Sequence, residues 1–181
     1  MTGDALVVVD MQHVFADPAS PWNTPDYAAA AAGVRRLLPA FTGVTVWTRF
    51  VAPERPEGAW RAYYDEWPFA LVPDEDPIWL IDPALGPASD PVVSAPTFGK
   101  WGDALASALG GAERLVVVGV STDCCVLSTA LAAADAGRAV VVAADACAGA
   151  SAADHERALA AMALYTPLIT ISSVDEVVGR R

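Results

Sequence analysis

Residues 115–137, LVVVGVSTDCCVLSTALAAADAG, constrain the fold of this chain more than any other stretch. They open on an unbroken apolar run, Leu115-Val116-Val117-Val118, the pattern of a strand buried on both faces of a parallel sheet. A turn follows, Gly119-Val120-Ser121-Thr122-Asp123. Beyond it Cys125, Val126, Thr129, Ala130, Ala133 and Ala134 recur at helical spacing until Gly137 ends the helix. Two cysteines, Cys124 and Cys125, therefore stand where a buried strand hands over to a helix. In open parallel sheets that handover lies at the carboxyl edge of the strands, where ligands bind. A thiol in the first turn of a helix faces unpaired backbone N–H groups and the positive end of the dipole, which favour thiolate. The placement suits a nucleophile. It suits simple packing too, because cysteine is small, apolar and often buried.

The rest of the chain alternates in the same way. Strands are expected at 5–9, 44–48, 91–94, 139–143 and 167–171, and helices at 27–38, 101–109 and 152–164, with a last helical turn at 174–178. Pro25 and Asp26 lie near the start of the first of these helices and Pro39 stops it. Residues 50–90 break the rhythm with many of the prolines and with Trp60, Tyr63, Tyr64, Trp67, Phe69 and Trp79. They read as a long, partly ordered insertion with one helical turn around 60–67, and long loops in compact domains are more often functional than idle. The alternation implies an α/β chain with a parallel sheet of about six strands and helices on both sides. A length of 181 residues suits one domain, 1–181, carrying this insertion.

Composition narrows the class. The chain is 54% hydrophobic with a mean hydropathy of +0.36, yet no apolar run approaches the roughly 20 residues of a membrane helix. The excess belongs inside a sheet covered on both faces. The start, MTGDALVVVDMQ, has no basic region before its apolar run and does not read as a signal peptide. A net charge of −11 and a pI near 4.3 argue against nucleic-acid and anionic-membrane partners. Three cysteines, two of them adjacent, do not make a disulfide framework, so a reducing cytoplasm is expected.

Asp10 ends the first strand, which puts its carboxylate at the carboxyl edge, beside the cysteine turn if the two strands are neighbours. There it could take a proton from a thiol and return it to a leaving amine. Its alternative role is hydrogen bonding to the loop that follows. Lys100 is the only lysine, against ten arginines, and lies after the third strand on the same edge. Its alternative role is a solvated surface charge. Cys124 and Cys125 compete as nucleophile, while Cys147, in AADACAG, reads as packed. Spacing leaves a Cys–His pair open, but neither His13 nor His155 stands in a recognisable context for one, and no histidine lies between them to build a metal site in the long loop. No GxGxxG follows Val9, and GVSTD is not a phosphate loop. Phe15, Trp22, Arg49, Trp60, Tyr64 and Trp67 are candidate walls of a substrate pocket. Arg49 would either pair with a substrate carboxylate or form a structural salt bridge. The aromatics at 60–67 would close the pocket or pack under a subunit interface, since exposed apolar surface favours self-association.

The stretches VVVDMQHVF, GVSTDCCVLSTALAAADAG and VVAADACAG together resemble the isochorismatase-like cysteine hydrolase superfamily, over about residues 5–170. That group includes nicotinamidases, N-carbamoylsarcosine amidases, ureidoacrylate and biuret hydrolases, and isochorismatases. The resemblance implies a Rossmann-like three-layer α/β/α sandwich with a mostly parallel sheet, an Asp-Lys-Cys triad and homo-oligomers, commonly dimers or tetramers, acting on a small-molecule substrate. By motif the aspartate is Asp10, and the nucleophile is the cysteine directly before Val, Cys125, with Cys124 in the variable place. The family's cis peptide falls at Val120–Ser121, and its oxyanion donors are backbone N–H groups around Ser121 and Cys125.

Three departures from the family pattern matter. The family lysine precedes a Ser-Ala-Phe-like stretch, whereas here Ser94, Ala95 and Pro96 hold those places and Lys100 follows Phe98, so the ammonium is expected from a shifted position. Nicotinamidases carry metal-binding residues after the second strand, but TRFVAPERP stands here, so no metal and no other cofactor is expected. Members acting on isochorismate lack the cysteine, so Cys125 argues for C–N hydrolysis. The expected function is hydrolysis of a small amide or a ureido or carbamoyl compound through a thioester. The alternatives are a catalytically silent interaction domain of the same fold, an isochorismatase-type hydrolase of a non-amide substrate, and a thiol redox sensor.

Overall fold

The computed structural model describes residues 4–87 and 89–179. The outer ends of the expected 1–181 domain, and the first residues of the N-terminal stretch read above, lie outside them. In chain order β1 (Ala5–Val9) leads through α1 (His13–Ala16) and α2 (Tyr27–Leu37) to β2 (Thr45–Phe50), and α3 (Trp60–Glu66) lies in the long connection to β3 (Val92–Ala95). Then come α4 (Asp103–Ala108), β4 (Arg114–Val120), α5 (Leu127–Asp135), β5 (Ala139–Ala148), α6 (Ala152–Ala163), β6 (Ile169–Ser172) and α7 (Val174–Gly179).

The strands form one sheet in the order β3-β2-β1-β4-β5-β6, every neighbouring pair parallel. Helices cover both faces, giving three α/β/α layers. Every residue of β1 is buried, as are Leu115 to Val118 of β4, which is why both strands are runs of Val, Leu and Ala with no polar alternation. From β1 the chain moves outward to β2 and β3 on one side, then returns to lay β4 on the other. The crevice where the strand order reverses, outside the ends of β1 and β4, is where ligands sit in sheets of this kind.

Two close approaches shape that crevice. Helix α2 is rich in alanine and buries Ala30, Ala31, Gly33 and Val34. A methyl at Gly33 would come within 2.7 Å of the β5 backbone at Asp145 and Ala146, so only glycine lets this helix lie so near the sheet. Gly119 is more constrained. It has φ 114, a region open mainly to glycine, and a Cβ there would stand 2.0 Å from the Val9 carbonyl oxygen on β1. Gly119→Ala is therefore expected to cost about 4 kcal/mol or more, read as a lowered urea midpoint. An unchanged midpoint would contradict the close seating of β1 against β4.

The structure carries each strand after β1 past its expected end, β4 by two residues into the expected turn, to Val120, and β3 and β6 by one residue each. β2 continues past 48 to Phe50, and β5 continues past 143 to Ala148. Pairing of β5 with β4 shifts register between Val117 and Gly119 and resumes at Gly119–Cys147. The polar residue that interrupts the apolar pattern there, Asp145, accepts a hydrogen bond from the backbone N–H of Val174 at 2.7 Å and so holds the start of α7. The expected loop after β1 contains the short α1. The segment from 50 to 90 is tied to the end of β1. His13 N–H donates to the Leu80 carbonyl at 2.9 Å, Asp82 N–H donates to Met11 at 2.8 Å, and Trp79 is fully buried. The buried Gln12 amide joins the pieces, donating to Phe50 and Trp79 carbonyls at 2.9 and 2.7 Å and accepting from Phe50 N–H at 2.8 Å. Among the described residues no helix is long and apolar enough to cross a membrane.

Candidate active site

Asp10 is the residue that follows β1, and its φ of 48 places it in the left-handed region that Asp tolerates better than most side chains. That turn swings a fully buried carboxylate over the carboxyl edge of the sheet. Thr48, near the end of β2, donates its hydroxyl to Asp10 Oδ1 at 2.6 Å and accepts the Asp10 N–H at 3.2 Å. Lys100 Nζ stands 2.7 Å from Asp10 Oδ2, with both side chains at 0% exposure. Nζ also donates to the carbonyls of Thr97 at 2.7 Å and Phe98 at 2.9 Å. Two of its protons thus go to carbonyls while the carboxylate supplies the counter-charge, the condition under which an ion pair survives in a buried site. The Lys100 ammonium also passes 5.2 Å from the Phe50 ring centroid.

Cys125 stands beside this pair. It is 3% exposed and sits in a wide π-type turn, Thr122–Val126, that precedes α5. The peptide entering the turn, Val120–Ser121, is cis. Burial pushes the Cys125 thiol well above the ordinary cysteine range. The Asp10 carboxylate adds to this as a charge and as a hydrogen-bond acceptor, while the Lys100 ammonium opposes it. The expected stabilisation of thiolate by the helix start is therefore outweighed, because removal from water acts against any charged sulfur. At rest the group is a thiol whose neighbour can accept its proton. The Thr129 hydroxyl fixes the geometry further: it donates to the Cys125 carbonyl at 2.6 Å and accepts the Lys100 N–H at 2.9 Å, joining the lysine loop to the cysteine turn. From the other side His155 Nδ1 lies 2.8 Å from the Thr122 hydroxyl.

A cavity of about 320 Å³ opens onto Cys125. Its walls are rings of Phe15, Trp22, Phe50, Tyr63, Trp67 and Phe98, and Ser121, Asp123, Cys124 and Cys125 supply polar atoms. Trp22 is the hub, with ring centroids 5.1 to 6.3 Å from those of Phe15, Phe50, Tyr63, Trp67, Phe69 and Trp79. Cys124 is half-buried, and its Sγ lies 3.6 Å from Asp123 Oδ2. Burial, with Asp123 beside it, pushes that thiol up to about 11.

The structure brings together Asp10, Lys100, Ser121, Cys125, Phe15, Trp22 and Trp67. Three other sequence candidates do not line the cavity. Arg49 is committed elsewhere, with Nη2 2.6 Å from Asp74 Oδ1 and Nε donating to Ser94 Oγ at 3.1 Å. Trp60 supports the wall from behind, edge-on to Tyr63 at 5.3 Å and Phe98 at 5.2 Å. Tyr64 is 2% exposed and packs under Trp60 and Tyr63. Cys147 is buried in β5, and burial pushes its thiol up to about 12. Sequence reading missed Thr48, Phe50, Phe98, Asp123 and Thr129, and held Tyr63 only as one of the aromatics at 60–67. Thr48 carried a usable signal, since it lies near the end of a buried strand on the same edge as Asp10.

A buried carboxylate, ammonium and thiol therefore meet at the switch point of a three-layer α/β/α sheet. The sequence profile of the isochorismatase domain matches residues 4–173, and the chain belongs to that family of hydrolases. Its structure is similar to a cysteine hydrolase from Pseudomonas syringae pv. phaseolicola 1448A, with a TM-score of 0.87 and 23% identity over 98% of this chain and 91% of the other. It is similar to a nicotinamidase/pyrazinamidase from Acinetobacter baumanii, with a TM-score of 0.78 and 22% identity over 98% and 99% of the two chains. A MAR1 ribonuclease from Caenorhabditis elegans shares the fold as well, with a TM-score of 0.74 and 20% identity over 98% and 80%. At these identities the likeness is one of fold, and the three names differ in chemistry, so activity has to be argued from the site. No curated protein matches the sequence.

Proposed function

We propose that the protein hydrolyses the C–N bond of a small amide, or of a ureido or carbamoyl compound, through a thioester on Cys125. The observation that carries this reading is the fully buried Lys100–Asp10 pair, 2.7 Å apart, beside a buried thiol that opens onto an apolar cavity. As the sulfur attacks the carbonyl carbon, its proton passes to Asp10 and an S–C bond forms. Backbone N–H groups of Ser121 and Cys125 hold the oxyanion, and the burial of the site strengthens each contact. Asp10 returns the proton to the nitrogen, the C–N bond breaks and ammonia or an amine leaves. Asp10 then takes a proton from water, hydroxide adds to the thioester, and the departing sulfur recovers its proton as the acid is released. Lys100 holds the carboxylate in place and offsets its charge through both half-reactions.

Thr129 acts in this scheme as a positioning residue. Thr129→Val keeps the shape and loses the hydroxyl that links Lys100 to Cys125, so kcat is expected to fall about ten- to hundredfold with KM little changed, and Thr129→Ser to restore most of it. Equal losses in both variants, or a loss confined to KM, would count against the linkage. The function itself is tested by a screen of primary amides, N-carbamoyl compounds and ureas read out as ammonia release. Turnover is expected within at least one of these classes, and none in any of them would overturn the reading.

A further inference from the structure

Resting on the hydrolase reading above, we propose that the cavity selects amides whose acyl part is apolar, ring-like and free of negative charge, and that Asp123 is the residue setting this charge preference. Among the described residues lining the cavity there is no lysine, arginine or histidine. The two cations among the candidate site residues, Arg49 and Lys100, are both held by partners. Arg49 is paired with Asp74, and the Lys100 ammonium is fully buried against Asp10 and two carbonyls. A substrate carboxylate entering here would give up its water with no cation to replace it, which costs tenfold to a hundredfold or more in affinity.

The fixed charge that does face the space is negative. Asp123 is half-buried, and its Oδ1 is held by the Ala150 N–H at 2.9 Å, so the carboxylate has a set orientation. The six wall rings act in the same sense, because aromatic faces are negative and attract cations. The net charge of −11 on the whole chain adds a field of the same sign. Rings, acid and overall charge thus agree: neutral aromatic or alicyclic amides fit, a cationic group is welcome, and carboxylates are turned away.

The test uses the full chain with Cys125→Ala, so that binding is read without turnover, and follows quenching of tryptophan fluorescence, since Trp22 and Trp67 line the cavity. The probes are benzamide, its para-aminomethyl analogue, cationic at neutral pH, and its para-carboxylate analogue. The expected order places the cationic probe first or level with benzamide, and the carboxylate at least about tenfold weaker than benzamide. A carboxylate bound within about threefold of benzamide, or no binding of any of the three, overturns the proposal. Asp123→Asn keeps the Oδ1 acceptor for Ala150 and is expected to lower the ratio of cationic-probe to carboxylate affinity at least about threefold. An unchanged ratio removes Asp123 from its role. In the unmutated protein, binding in the expected order with no ammonia released from any amide would sink the hydrolase reading and leave the charge selection standing. Ammonia release from the carboxylate as fast as from benzamide would sink the charge selection alone.

Discussion

Cys125→Ala is expected to lower ammonia release from the best amide substrate at least about a thousandfold, whereas Cys124→Ala should retain turnover within about tenfold. The two thiols are adjacent in sequence and both border the cavity, yet their surroundings differ. Cys125 shares its buried site with Asp10 and Lys100, so a proton acceptor and a compensating cation stand beside its sulfur. The Cys124 thiol is pushed up by burial and by the Asp123 and Asp154 carboxylates, with a hydrogen bond from Ser121 the one opposing influence and no cation acting on it. Without the Cys125 sulfur there is no thioester, and uncatalysed attack by water on an amide is too slow to substitute. Equal losses in the two variants, or full activity in Cys125→Ala, would refute the assignment of the nucleophile.

Asp10→Asn should damage stability and activity together, and the two effects can be separated. The substitution keeps the shape and the oxygen that Thr48 contacts, but it leaves the Lys100 ammonium buried without its counter-charge. Breaking one side of such a pair costs about 3 to 5 kcal/mol, read as a lower urea midpoint. Removing the proton carrier should also cut kcat about a hundredfold to ten-thousandfold. Lys100→Met leaves the opposite charge bare and should destabilise by a similar amount. The double variant Asp10→Asn/Lys100→Met removes both charges, and most of the stability is expected to return while activity does not. A stable Asp10→Asn single variant would mean the pair is not buried as described. An active double variant would remove both residues from the chemistry.

Much of this arrangement was legible in the sequence, for identifiable reasons. β1 and β4 announced themselves because strands covered on both faces admit almost nothing but aliphatic residues, and the ends of such strands locate Asp10 and the cysteine turn. The continuation of β5 was concealed by Asp145, whose polarity reflects a hydrogen bond to α7 that no local pattern reveals. The π-turn was hidden as well, since apolar spacing from Cys125 to Ala134 suits a helix whatever the width of its first turn. Lys100 stood out as a lone lysine, but its route back to Asp10 depends on Thr129 and on carbonyls of its own loop. Arg49 had two roles open to it, and Asp74, distant in sequence, decided between them. In α3 the aromatic positions were evident but the helical phase was not, so Tyr63 rather than Trp60 or Tyr64 borders the cavity. The state of the thiol followed the same logic. A helix start is visible in sequence, whereas the burial that outweighs it exists only in the fold.

The central claim is a covalent bond between the substrate carbonyl carbon and one sulfur. Acid-quenched turnover of the best amide, followed by mass spectrometry of the peptide containing residues 124 and 125, tests it directly. The account expects a mass gain equal to the acyl group, fragmenting to Cys125, released by hydroxylamine and missing from Cys125→Ala. Sustained ammonia release with no acylated peptide at any quench time, or with the acyl group on Cys124, would contradict it.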